Sequence, residues 1–195
     1  VSWYLVLGLA ALVFLLPFGW MFSTAFKTAE QTASYPPQFL PDPWTLRSFV
    51  EGLGRGPFPL YFRNSVIVTV LSVLGAAASS AIVGFGFARL HTRLKNFWFL
   101  LLLGTMMIPS TVTLIPVYVL YSRIGWINTM LPLVVPNFLG TYAFYIFLMR
   151  QFFLGIPREL EESALIDGCS WWTIFARIFA PNARPALLVI VLFNF

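Results

Sequence analysis

The residues best able to do chemistry are concentrated near the end of the chain, from Pro157 to Pro181. Four of the 7 carboxylates lie there: Glu159, Glu161, Glu162 and Asp167. Pro157 suits the first turn of a helix. The glutamates that follow suit a helix N-terminus, where unpaired N–H groups carry partial positive charge. Gly168 is placed to stop that helix, because glycine takes the left-handed conformation at little cost; a positive φ is expected there. Trp171, Ile174, Phe175, Ile178 and Phe179 then fall at i, i+3, i+4, i+7 and i+8, the apolar face of a second helix expected to end at Pro181. By its residues alone this is a solvated amphipathic loop: a helix, a sharp bend and another helix.

Other chemistries are excluded by what is missing. A P-loop needs Gly-Lys before Ser or Thr, and the only lysines, Lys27 and Lys95, follow Phe and Leu. The only histidine, His91, and the only cysteine, Cys169, form no metal-ligand cluster and no internal disulfide. Proton-coupled carriers place an ionisable group within the membrane, and no carboxylate falls in any apolar window here. Uphill movement of a solute would need energy from a partner.

The elements that must position this loop are apolar. The chain is 59% hydrophobic and 10% charged, against about 25% charged in soluble domains. No charge occurs in 1–26, 64–88, 96–122 or 124–149, windows that match or exceed the ~20 residues of a bilayer span. Spans are expected at about 1–24, 64–88, 97–120 and 131–149. The first is too long for a signal-peptide core and lacks a basic leader; Pro17 is expected to kink it. Pro109 and Pro116 break the third span, and Arg150 ends the fourth. A fifth apolar run, Pro185 to Phe195, is too short to cross, and the chain does not begin with Met, so a fragment is expected. Residues 27–61 form a loop rich in Pro, Gly and aromatics, with a short helix around 45–51; Trp44, Phe58, Tyr61 and Phe62 suit an interface. In the second span, Ala77 and Ala81, and Ser80 and Gly84, permit close helix approach, within the chain or across a subunit boundary. Met106, Met107 and Thr113 either line a pathway or pack in a core.

With the first span running outward, loops 89–95 and 150–184 hold seven basic residues: Arg89, Arg93, Lys95, Arg150, Arg158, Arg177 and Arg184. The outer loops hold five: Lys27, Arg47, Arg55, Arg63 and Arg123. Seven against five is a weak positive-inside bias, sharpened by the Arg89–Lys95 cluster. The net charge of +5 therefore reads as membrane orientation rather than as a nucleic-acid surface. Two classes remain open on residues alone: a transporter subunit driven by a separate ATPase, and a non-transport membrane protein such as a scaffold or membrane enzyme.

The 157–181 stretch resembles the cytoplasmic loop of the permease subunits of binding-protein-dependent ABC importers. Their signature is E-A-A, three residues, G, nine residues, then I-x-L-P. Glu162-Ser163-Ala164, Gly168 and Ile178-Phe179-Ala180-Pro181 match that spacing, with Ser163 for an alanine and Ala180 for the leucine. The flanks Ile156 to Glu162 and Ile166-Asp167-Gly168, with Met107-Ile108-Pro109 and Leu114-Ile115-Pro116, are similar to the carbohydrate-type branch. The resemblance implies an all-α integral membrane bundle of six spans in the bacterial inner membrane. Four of these and the start of a fifth lie in this chain, one transmembrane domain over 1–195 that is C-terminally truncated, with 157–181 as its coupling loop. It implies a permease without enzymatic activity or cofactor of its own. The implied partners are ATP-binding ABC subunits, a second permease subunit, an extracytoplasmic solute-binding protein and membrane lipid. Glu162, Ala164 and Gly168 would dock on the ATPase, supported by Leu165 and Asp167, with Ser163 completing the motif. ATP would shift the pair between inward-open and outward-open states. The solute would be a sugar, oligosaccharide, polyol or sugar phosphate. Tyr142, Phe144 and Tyr145 are candidates to stack on it, or to face lipid or core.

Overall fold

The structure is a computed structural model and describes residues 2–195; within these every regular element is helical and no strand occurs. It divides into two units, residues up to Arg63 and Asn64–Phe195.

The first unit opens with α1, Ser2–Ala25, which passes through Pro17 without interruption. Its apolar side chains are exposed throughout, as expected of a surface meant for lipid or another apolar partner. The loop that follows is tightly held. Lys27 is only 2% exposed: its ammonium donates to the Gln38 carbonyl at 2.5 Å and sits 4.2 Å from the Trp20 ring centroid. Ser23 Oγ donates to the Phe39 carbonyl. Thr28 and Gln31 form a reciprocal capping box on α2, Ala29–Thr32. The short helix expected around 45–51 is α3, Arg47–Gly54. There Glu51 receives Arg47 Nε at 2.5 Å and Arg55 Nη2 at 3.1 Å. The hydrogen bond from Arg47 holds its carboxyl below the usual carboxylate range.

α4 runs from Phe58 to Arg89, six residues earlier than the charge-free window begins. Pro59 is tolerated because it lies in the first turn, and Arg63 is carried within the helix. At 1.5 Å per residue α4 is about 48 Å long, longer than a ~30 Å hydrocarbon core.

In the second unit the expected third span is bent by 98° into α5, Lys95–Thr105, and α6, Ser110–Arg123. Pro109 is the N-cap of α6 while Pro116 lies inside it, so the first proline marks the break and the second does not. The fourth span is also interrupted. α7, Leu131–Val134, passes into a 3₁₀ turn, Val135–Leu139; Gly140 then takes φ +68° before α8, Ala143–Leu154. Arg150 does not end this span. It lies in α8 with its guanidinium 4.1 Å from the Phe99 ring centroid. The small residues of α4 serve packing within the chain: a Cβ on Gly84 would lie 2.7 Å from Met149 Cβ and 3.1 Å from Arg150 N. Gly75 similarly lies against the Phe138 ring.

After α9, Arg158–Ile166, come α10, Trp171–Ile174, a π turn over Phe175–Phe179, α11, Ala180–Asn182, and α12, Arg184–Asn194. Pro181 lies one residue before the end of the helix, which stops at Asn182, close to the expected end. It has no N–H for the Arg177 carbonyl, and its ring crowds that carbonyl. The ladder widens upstream instead, with Ala180 N–H donating to Phe175, five residues back. The chain turns by 74° only at Ala183, between α11 and α12.

Candidate functional site

The polar loop is built on α9. Pro157 stands at its N-cap (φ −55°, ψ 140°) rather than inside the first turn. Glu159 and Glu161 then lie in the first turn, where negative charge meets the unpaired N–H groups. At the other end Asp167 is the C-cap and Gly168 has φ +79°, the sign expected from its place in the sequence. Gly168 N–H donates to the Leu165 carbonyl at 3.0 Å and Cys169 N–H to the Ala164 carbonyl at 2.9 Å. These two bonds make a Schellman motif, which satisfies carbonyls that the helix leaves unpaired. Ser170 then caps α10, accepting from Thr173 N–H at 3.2 Å. A left-handed glycine and a serine cap together set the sharp bend.

α9 has two unlike faces. Glu162, Ser163, Leu165, Asp167 and Gly168 are all exposed on its outer side and end. Ile166 is 87% exposed, an apolar knob among them. Ala164 is different: it is only 7% exposed and belongs to the core. Ala164, expected to dock with the others, thus faces the core of this chain. A small side chain is needed there because the helix lies close on what is beneath.

Beneath lie Phe85, Phe153, Phe175 and Phe179, with ring centroids 5.0 Å apart for Phe85–Phe179, 5.2 Å for Phe85–Phe175 and 5.7 Å for Phe153–Phe179. Each buried Phe is worth about 1.5–3 kcal/mol of apolar transfer. The expected amphipathic face is thus largely right: Ile174, Phe175 and Phe179 are buried and Ile178 half-buried, whereas Trp171 stays exposed.

The loop's one deeply buried polar contact is absent from the sequence reading. Glu161, 7% exposed, faces inward with Ala164, and its Oε2 lies 3.2 Å from Nη1 of Arg89, itself 4% exposed. Arg89 Nη2 donates to the carbonyls of Phe153, at 2.5 Å, and of Ile156. The guanidinium carbon sits 4.8 Å from the Phe179 centroid. By sequence alone Arg89 is a basic loop residue and Glu161 one of three similar glutamates. The available signal was modest: Glu161 and Ala164 are three apart on one helix face, and Arg89 is four beyond Phe85 on another. Removing one partner of such a buried pair costs about 3–5 kcal/mol.

A second feature lies where the two interrupted spans meet. A cavity of about 300 Å³ is lined by Thr105, Met106, Thr141, Tyr142, Phe144 and Tyr145. Tyr142 and Phe144 are exposed and Tyr145 is buried, with the two tyrosine centroids 5.1 Å apart. Met106 lines this cavity; Met107 and Thr113 do not.

The model of the family described as "Binding-protein-dependent transport system inner membrane component" matches residues 76–195. The chain is 36% identical, over 95% of its length, to the probable ABC transporter permease protein YurM of Bacillus subtilis, of which it spans 60%. It is 31% identical, over 92% of its length, to the diacetylchitobiose uptake system permease protein DasC of Streptomyces coelicolor, of which it spans 65%. A crystal structure of a bacterial ABC transporter involved in the import of the acidic polysaccharide alginate contains a chain of the same fold. The TM-score is 0.87 at 23% identity, covering 98% of this chain and 67% of that one. The matched region contains the loop on α9, the aromatic core below it and the interrupted spans, and the chain belongs to the family of inner membrane components of binding-protein-dependent transport systems, the ABC transporter permeases.

Proposed function

We propose that this chain is the pore-forming part of an ATP-driven importer for a sugar or a related polyol or sugar phosphate. In this reading α9 docks in a groove of a separate ATPase subunit. The observation that carries it is the pairing of an exposed stripe, Glu162, Ser163, Leu165, Asp167 and Gly168, with a rigidly held underside. A helix fixed on one face and free on the other is suited to receive a push and pass it on. Ala164 contributes from the inside, by letting α9 lie close to the core. Residues 157–181 act as the coupling loop of a single transmembrane domain, and a second permease subunit completes the pathway. A solute-binding protein delivers the solute from the outer side.

The sugar class is supported by the relative described as a diacetylchitobiose uptake permease and by the cavity at the two interrupted spans. Its exposed Tyr142 and Phe144 can stack on pyranose faces while Thr105 and Thr141 offer hydroxyls. Purifying the full-length protein from its own membrane tests the reading. A nucleotide-binding subunit should co-purify, and the accompanying binding protein should bind an oligosaccharide in a titration panel. Absence of any ATPase from an intact preparation would sink it.

A further inference from the structure

Arg89 joins four parts of the chain. It is the last residue of α4. Its Nη2 holds the carbonyls of Phe153 and Ile156, at and just beyond the end of α8. Its Nη1 faces Glu161 of α9 at 3.2 Å, and its planar face covers Phe179 at 4.8 Å. Both charged side chains are almost wholly removed from solvent. A cation belongs at a helix C-terminus, so its place beside the end of α8 needs no further partner. Glu161 is the addition, because it brings the loop helix into the same cluster. Fully buried ion pairs seldom stabilise more than apolar residues of equal volume, so stability alone is a poor reason for this one. The guanidinium has a different use: two carbonyls fix its Nη2 in direction at the end of α8, and the attraction between Nη1 and the Glu161 carboxylate at 3.2 Å then resists separation of α9 from that anchor.

We propose that Arg89 and Glu161 are positioning residues, an internal strut that makes α9 move as one body with the cytoplasmic-side ends of α4 and α8. The proposal rests on the reading that α9 docks on an ATPase. Without the strut, α9 would still dock but would swing on the Gly168 bend and the Gly155–Pro157 connection. Force from the ATPase would be lost in that swing.

The test uses the full-length protein with its ATPase, in a Cys169→Ser background, with spin labels at His91→Cys beyond α4 and Arg158→Cys at the start of α9. Both positions are exposed. Distances are measured without nucleotide and after trapping with ATP and vanadate. With the strut intact, one narrow distance should be seen, the same in both states. In Glu161→Gln the ATPase should still co-purify, but trapping should shift or broaden the distance on the order of 5 Å, one helical turn. If Glu161→Gln does not accumulate in membranes, Arg89→Met with Glu161→Leu restores apolar packing without the tie and should show the same movement. An unchanged, narrow distance in either variant, or a state-dependent distance with the strut intact, overturns the proposal. Loss of the ATPase from the unaltered protein would instead count against the docking reading.

Discussion

Substitution of Gly168 can separate backbone strain from collision with a partner. At φ +79° a residue with a Cβ pays about 1–2 kcal/mol. Apart from its chain neighbours, no atom of this chain lies within 4 Å of where that Cβ would be, so the intramolecular cost of an alanine there is conformational. If that strain is relieved only by opening the Schellman turn, and docking needs the turn closed, affinity for the ATPase falls by a factor of roughly 5–30. Gly168→Ala measures this contribution alone. Gly168→Asn should lie between Ala and Gly, because asparagine tolerates the left-handed region better than other side chains. Gly168→Trp adds bulk at a position that is exposed and open around Cβ, so a loss beyond Ala, with the thermal midpoint of the free subunit equal to that of Ala, reports a wall supplied by the partner. Binding of purified ATPase to each variant in nanodiscs gives the series directly. We expect Gly, Asn, Ala, Trp in falling order, with Trp below Ala by a further factor of ten or more, equivalent to at least about 1.4 kcal/mol. Equal affinity for Ala and Trp would refute a groove around Gly168. Equal affinity for all four would return α9 to a solvated surface.

Two more outcomes follow from packing and placement. Gly84→Leu drives a side chain into Met149 Cβ and the Arg150 backbone; overpacking of about 1–3 kcal/mol should lower the thermal midpoint of the purified protein, whereas Gly86→Leu, on a more open side of α4, should shift it less. Cys169, the only thiol, is half-buried beside the bend; a membrane-impermeant maleimide should label it in inside-out vesicles and not in intact cells, with protection by added ATPase, and labelling from outside would reverse the orientation.

What the sequence by itself determined is local or compositional. Charge-free windows located the apolar helices because a charge in a bilayer core is too costly to be placed at random. Gly168 announced its positive φ because few other residues adopt it cheaply, and the i, i+3, i+4 spacing marked Ile174, Phe175 and Phe179 as inward. Spacing of the 162–181 signature carried the family. Tertiary structure alone decided the rest. Pro181 looked terminal and the helix does stop one residue after it, but the π turn upstream, over the buried Phe175 and Phe179, had no mark in the sequence. Arg150 looked like a membrane boundary, yet a long side chain can lay its cation on Phe99 while its backbone stays in α8. Glu161 and Glu162 are adjacent and chemically identical, and only the helix's rotation toward Phe85 and Phe179 buries one and exposes the other. The partner that makes burial of Glu161 tolerable, Arg89, comes from the far end of another helix, and a contact between segments so distant in sequence leaves no local pattern to read.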